Sequence, residues 1–222
     1  MKNILLILFL CLSTVINAQL PNGSTAPDWT LTDLNGTTHN LYSYLDSGYT
    51  VFIDFSAVWC PPCWSYHNGG ALENLYIQHG PLGFPNVDTN TTDDVMVFFI
   101  EGDQATAAEL GGSGTWTLGN WITGTPYPII STDGTVNNDN VVYNYDIGFF
   151  PTIYRICPDK VLIEAGQSSY PYNLVAGCNI TSNIKEIDYT PINNKKFDLL
   201  GREIFEIPQG TIYIKNRKKF IK

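Results

Sequence analysis

A β-rich run bounded by Gly48, Tyr49–Phe55, leads through Ser56-Ala57-Val58 into Trp59-Cys60-Pro61-Pro62-Cys63. A helical segment then follows from about Cys63 to Gln78 and is stopped by Gly80-Pro81. Few folds put two cysteines at the seam where a buried strand hands over to a helix. A thiol on the first helical turn meets unpaired backbone N–H groups and the positive end of the helix dipole, which favour the thiolate. Cys60 is therefore expected to have a depressed pKa and to attack disulfides. Cys63 lies one turn deeper, where it can resolve a mixed disulfide by attacking Cys60. Pro62 suits a first turn, where its missing N–H is no loss, and Pro61 removes another donor beside the nucleophile.

The rest of the chain reads as strands alternating with helices. Ala26–Gly36 is extended and closes on an Asn-Gly turn, and Val95–Ile100 is a second apolar, buried strand. A Gly-rich insertion with Trp116 and Trp121 fills 106–127, as a short helix plus irregular chain. A short strand is expected at Tyr127–Ser131, a short helix at Val141–Tyr145, a hairpin from Thr152–Ile156 and Val161–Glu164, and a final helix at Tyr170–Ala176. This order indicates α/β layering around a mixed central sheet flanked by helices.

Charge divides the chain. The net charge of −9 excludes a nucleic-acid binder that works by covering phosphates. Residues 19–184 hold two basic residues, Arg155 and Lys160, against sixteen acidic ones, a net −14; residues 185–222 hold nine basic against five acidic, a net +4. Residues 1–18 carry Lys2, an apolar run Ile4–Leu12 and the small Ala18, the pattern of a signal peptide. Three segments follow: a leader at 1–18, a domain at 19–184 and a basic, β-rich tail at 185–222. Nothing later in the chain reads as a transmembrane segment, so the expected location is the periplasm or, beyond it, the cell surface or medium.

An exported chain keeps four cysteines, Cys60, Cys63, Cys157 and Cys178. Cys157 and Cys178 lack a helix-start context. They could be free thiols or a second active pair; a structural disulfide tying the last helix to the sheet is the preferred reading. Asp54, in the middle of an apolar strand, is expected to have a raised pKa and to accept the proton of the deeper thiol. The opposite reading makes it a solvent-facing edge residue. Pro151 precedes a strand, and a cis bond there would turn the Phe150 carbonyl and the Thr152 backbone toward a substrate strand. Trp59, Phe150 and Thr152 are thus candidate substrate-binding residues. A zinc site would need two ligands beyond Cys60 and Cys63. His67, one turn on, reads as solvated, so neither metal nor cofactor is expected. A different class of function, a binding module with a static disulfide, would use Trp116 and Trp121 as its recognition platform.

Trp-Cys-Pro-Pro-Cys after Val-Phe-Ile-Asp-Phe-Ser-Ala, with Phe-Pro-Thr downstream, resembles the thioredoxin superfamily. The opening Ala-Pro-Asp-Trp-Thr-Leu-Thr-Asp-Leu-Asn-Gly, Tyr127-Pro-Ile-Ile and Tyr145-Asp-Ile look most like its exported TlpA/ResA branch. The likeness covers about residues 24–180. It implies a thioredoxin-like fold, thiol–disulfide exchange through Cys60 and Cys63, a cis-proline at Pro151, and protein thiols or disulfides plus a redox partner as the molecules engaged. That branch often carries an acid after the second strand, which Glu101 or Asp103 could match. A peroxiredoxin would have Thr where Ala57 stands, and a Sco-type copper chaperone would want a histidine near Pro151. In the tail, Asp-Leu-Leu-Gly-Arg, Pro-x-Gly-x-x-Tyr-Ile and the final Lys-Lys-x-Ile-Lys resemble the end of a type IX secretion sorting domain, shortened here. That resemblance implies engagement with the type IX machinery.

Overall fold

The computed structural model describes residues 19–137 and 140–178, and in the C-terminal segment residues 196–197, 204–206, 209, 212–215 and 218–221. The expected leader, 1–18, lies outside the described residues. The chain divides into two compact units, Met1–Asn179 and Ile180–Lys222.

The first unit opens with a hairpin, β1 (Thr30–Thr32) and β2 (Thr38–Asn40). Its turn is held by Asp33, whose Oδ1 accepts the N–H groups of Asn35 and Thr37, both at 2.9 Å, and Gly36 takes a positive φ of 83°. Asn40 then caps α1 (Leu41–Asp46), its side chain accepting the Ser43 N–H at 2.8 Å. This short helix has no counterpart in the sequence reading.

The core is a five-stranded sheet in the order β5-β4-β3-β6-β7. It comprises β3 (Thr50–Ser56), β4 (Val95–Glu101), β5 (Ile129–Ile130), β6 (Thr152–Ile156) and β7 (Leu162–Glu164). Strands β3, β4 and β5 run parallel, while β6 is antiparallel to β3 and β7 to β6. Every residue of β3, β4 and β6 is buried. Strands covered on both faces read as unbroken apolar runs rather than alternating ones, which is why Tyr49–Phe55 and Val95–Ile100 stood out. The α/β architecture with a mixed sheet is the one the sequence implied.

The helix after the cysteines departs from expectation. In place of one helix over Cys63–Gln78 there are two, α2 (Pro61–Asn68) and α3 (Ala71–His79). Gly69 ends the first, and Gly70 precedes the second in a left-handed conformation at φ 70°, one that residues with a Cβ adopt only at a cost. The chain therefore turns at Gly69-Gly70 and starts again.

The Gly-rich insertion packs back onto α2. It begins with α4 (Ala107–Leu110), closed by a reciprocal Thr106–Glu109 capping box. Trp121 is fully buried, its ring 4.8 Å from Trp64, 5.0 Å from His67 and 5.5 Å from Phe99. Gly119 lies flat on Trp64, where a Cβ would come within 2.6 Å of the ring. The Leu118 N–H donates to the Val58 carbonyl at 3.0 Å, tying the insertion to the loop that precedes Cys60. Two sequence readings are corrected here. Trp116 and Trp121 cannot form one platform, because Trp121 is a core residue while Trp116 is 75% exposed. His67 is not solvated; it is buried on the face of α2 that meets Phe99 and Trp121.

After α5 (Val141–Asn144) and the β6–β7 hairpin, the unit ends in the expected final helix, of 3-10 type, at Pro171–Cys178. Arg155 Nη1 donates to the Leu174 carbonyl at 2.8 Å, and the rings of His79 and Tyr172 stack 3.5 Å apart. In the second unit, β8 (Lys196–Phe197), β9 (Ile212–Lys215) and β10 (Lys218–Ile221) form an antiparallel sheet ordered β10-β9-β8. No described helix is long and apolar enough to cross a membrane.

The two tryptophans of the insertion should behave oppositely. Trp121→Ala is expected to lower unfolding free energy by roughly 3–5 kcal/mol, and Trp116→Ala to change it by less than about 0.5 kcal/mol. Urea denaturation of the oxidised protein measures both.

Candidate redox site

Cys60 and Cys63 are joined, Sγ to Sγ, with Cα atoms 5.3 Å apart. Cys60 is the N-cap of α2, in extended conformation at φ −86° and ψ 110°. Its Sγ accepts the Cys63 N–H at 3.2 Å, and its carbonyl accepts the Trp64 N–H at 3.0 Å. Pro61 and Pro62 occupy the two positions between the cysteines and have no N–H to offer. Cys63 is completely buried and Cys60 only 3% exposed, with the half-exposed Trp59 beside it. Of the two cysteines, Cys60 alone has any exposed surface.

Beneath α2 lies Asp54. It is paired with Phe99 on β4 and Ile153 on β6, and partners on neighbouring strands project to the same face of a sheet. Phe99 meets His67 of α2 at 6.0 Å between ring centroids, so α2 covers the face that carries Asp54. The charge on Asp54 also raises the pKa of Tyr66 on that helix, after the larger effect of burial. Asp54 is fully buried, which removes the reading of a solvent-facing edge residue. Burial pushes its carboxyl up to about 7, against a smaller downward pull from Ser56, whose hydroxyl donates to Oδ1 at 2.6 Å. Oδ2 has no hydrogen-bond partner. Ser56, two residues along the same face, was not singled out in the sequence, although the period-2 spacing from Asp54 signals it.

Glu101, at the end of β4 and paired with Ser56, is a second buried carboxylate. Its Oε2 accepts the N–H groups of Ala105 at 2.6 Å and Asp103 at 3.1 Å, and Oε1 makes no hydrogen bond of ordinary geometry. Desolvation outweighs these donors and lifts its pKa to about 7. Asp103 has a separate place, accepting the Trp59 indole N–H at 2.6 Å. Sequence spacing alone could not divide the two acids in this way.

The Phe150–Pro151 peptide is cis. Phe150 meets Trp59 edge to face at 6.2 Å, and Thr152 is buried, its hydroxyl donating to the Phe149 carbonyl at 2.9 Å. The pairing of Phe55 with Thr152 brings the start of β6 to the cysteine end of β3. Cys157 and Cys178 stand apart from this group, joined to each other between the end of β6 and the last turn of the 3-10 helix. His67 is stacked on Trp64, accepts or donates at Nε2 with the Thr125 hydroxyl at 3.2 Å, and is pushed down to about 4 by burial, so it is neutral at ordinary pH. Among the described residues no group of His, Cys, Asp and Glu is placed to hold a metal ion.

Asp54 couples stability to pH. Its pKa is raised in the folded protein, from 3.8 to about 7. The folded form therefore keeps a proton that the unfolded chain has released, and stability falls as pH rises between these values. Asp54→Asn is expected to be near neutral at about pH 4 and stabilising at about pH 8, by at most about 4 kcal/mol. Thermal melts at the two pH values check the sign.

No family model matches the chain. Over 41 residues it is 54% identical to the thiol-disulfide oxidoreductase ResA of Geobacillus kaustophilus and 51% identical to that of Geobacillus thermodenitrificans. Each match spans 18% of this chain and only 22% of the relative. Among solved structures, the C-terminal domain of a candidate thiol-disulfide oxidoreductase from Bacteroides thetaiotaomicron superposes with a TM-score of 0.50 at 13% identity, over 72% of this chain and 97% of that one. The thioredoxin domain of a Bacteroides vulgatus thiol-disulfide oxidoreductase gives 0.46 at 21% identity, over 71% and 97%. The chain is thus a protein of thioredoxin-like fold, similar over one short stretch to the ResA thiol-disulfide oxidoreductases.

Proposed function

We propose that the protein is an exported thiol–disulfide oxidoreductase acting on protein substrates through Cys60 and Cys63. The observation that carries this reading is a disulfide at the N-terminus of a helix that packs on the sheet face holding a buried carboxylate, whose pKa is raised to about 7. In the reduced protein the Cys60 thiolate attacks a substrate disulfide. One substrate sulfur leaves as thiolate, and the other becomes bonded to Cys60. Asp54 then takes the proton of Cys63, and the Cys63 thiolate attacks Cys60 Sγ. The second substrate sulfur leaves, two electrons pass to the substrate, and Cys60–Cys63 is oxidised. Run backwards, the same steps oxidise a substrate dithiol. Glu101 is a second proton-holding group at the cysteine end of the sheet. Pro151, Phe150, Thr152 and Trp59 form the wall against which the substrate strand lies. The basic C-terminal segment serves as a sorting signal toward the outer membrane.

Cys60→Ser is expected to abolish reduction of insulin disulfides, and Cys63→Ser to accumulate mixed disulfides with substrate. Retention of wild-type turnover by Cys60→Ser would sink the proposal. Asp54 must be ionised to accept the Cys63 proton, so the resolving step should accelerate as pH rises through about 7. Asp54→Asn should lose that inflection and slow resolution by about 100-fold, as followed by quenched-flow analysis of the mixed disulfide.

For the tail, removal of residues 185–222 should leave insulin reduction intact but stop release to the cell surface or medium. Fractionation of expressing cells checks this.

A further inference from the structure

Beside the cysteines, on the side of the insertion, runs a groove of about 650 Å³. Its walls include Val58, Trp59, Asp103, Glu109, Trp116 and Leu118. Trp59 is 45% exposed, Trp116 75% and Leu118 42%. Three large apolar side chains open to water along this one groove, so it offers an apolar wall to an occupant.

The groove is preorganised. Leu118 is fixed to Val58 by its backbone hydrogen bond, and Gly119 and Trp121 are seated on Trp64. Trp116 therefore hangs only a few residues from a buried anchor. Trp59 is held from two sides, by the Asp103 carboxylate on its indole N–H and by the edge of Phe150. Rigid aromatic side chains bind partners at a low cost in conformational entropy.

The charge of the groove is one-sided. Asp103 and Glu109 lie in its lining, and among the described residues no basic one does. The basic residues between 19 and 178, Arg155 and Lys160, are engaged elsewhere, Arg155 with the Leu174 carbonyl and Lys160 with Asp46. An occupant that complements these walls carries an apolar ring and a cation.

We propose that this groove is the substrate-selecting subsite of the protein, and that it takes a polypeptide segment with an aromatic residue next to the reacting cysteine and a Lys or Arg beside it. The proposal rests on Cys60 being the attacking sulfur. The aromatic side chain lies between Trp59 and Trp116, and the cation faces Asp103 and Glu109. The Gly/Trp insertion is then a specificity element built onto the redox scaffold.

The test is calorimetric titration of the oxidised full-length protein with short peptides that carry serine at the cysteine position, with Lys-Phe, Glu-Phe or Lys-Gly preceding it. The Lys-Phe peptide is expected to bind at least tenfold more tightly than either other peptide. Trp116→Ala should raise its Kd about tenfold. Glu109→Gln, which keeps the capping box, should raise it about threefold at low salt and not at high salt. Equal affinity for the three peptides, no binding of any, or an unchanged Kd in Trp116→Ala would each overturn the subsite. In parallel, the cysteine forms of the peptides are offered as glutathione mixed disulfides to the reduced protein. Selective binding with no turnover of any of them would overturn the redox reading while leaving the groove a peptide site. Turnover at one rate for all three would retain the redox chemistry and overturn the subsite.

Discussion

Strand β3 is hydrogen-bonded on both edges, to β4 in parallel and to β6 in antiparallel register. A slip by one residue would send every side chain of a buried strand to the opposite face, so its register is not adjustable. That constraint fixes the candidate site. It puts Asp54 under α2, Ser56 within reach of Asp54 and opposite Glu101, and Thr152 beside Phe55 at the end where the chain leaves for Cys60. Asp54, Phe55 and Ser56 are consecutive, but Glu101 and Thr152 are far from them in sequence. The pairing of three strands assembles the rest.

At the helix start the two prolines decide which groups act on sulfur. A helix N-terminus ordinarily presents several free N–H groups, but Pro61 and Pro62 delete two of them. The Cys63 N–H points at Cys60 Sγ, while the Trp64 N–H is occupied by the Cys60 carbonyl. Stabilisation of an anionic Cys60 then depends on one backbone donor and on the helix dipole, rather than on a cradle of amides. The cysteine pair is consequently sensitive to what surrounds it. Both the buried acids below and the Trp59–Phe150 wall beside it are positioned to matter.

The sequence made much of this legible because the relevant signals are local. Apolar runs, one of them carrying Asp54, revealed β3 and β4, and the strand–motif–helix order revealed the cysteine site. Where the sequence reading missed, tertiary packing overrode a local preference. One helix was expected from about Cys63 to Gln78, but Gly69 ends α2 and Gly70, at a positive φ, turns the chain into α3. His67 was read as a polar residue on a solvated helix, yet α2 turns that face toward Phe99 and Trp121. Trp116 and Trp121 look alike in a Gly-rich stretch, and only the third dimension separates the buried anchor from the exposed ring. The division of labour between Glu101 and Asp103 is likewise set by the backbone turn after β4, whose N–H groups of Asp103 and Ala105 face Glu101.

Two buried carboxylates with raised pKa values work against the folded state at neutral pH, since ionising either one in the core costs free energy that the unfolded chain avoids. A core that holds two such acids must be stabilised elsewhere. The Cys157–Cys178 bond closes a loop with a sequence separation of 21, and constraining the unfolded chain to that extent contributes on the order of 3 kcal/mol. It lies at the far end of β6 from Thr152, where it can brace the sheet without touching Cys60 or Cys63. Trp121 supplies a second brace on the opposite flank, joining α2, β4 and the insertion in one aromatic cluster. The disulfide thus lies away from the buried acids, whereas Trp121 packs against His67 and Phe99, on the helix and strand next to Asp54. The cost of keeping acids in the interior falls on β3 and β4, which carry Asp54 and Glu101.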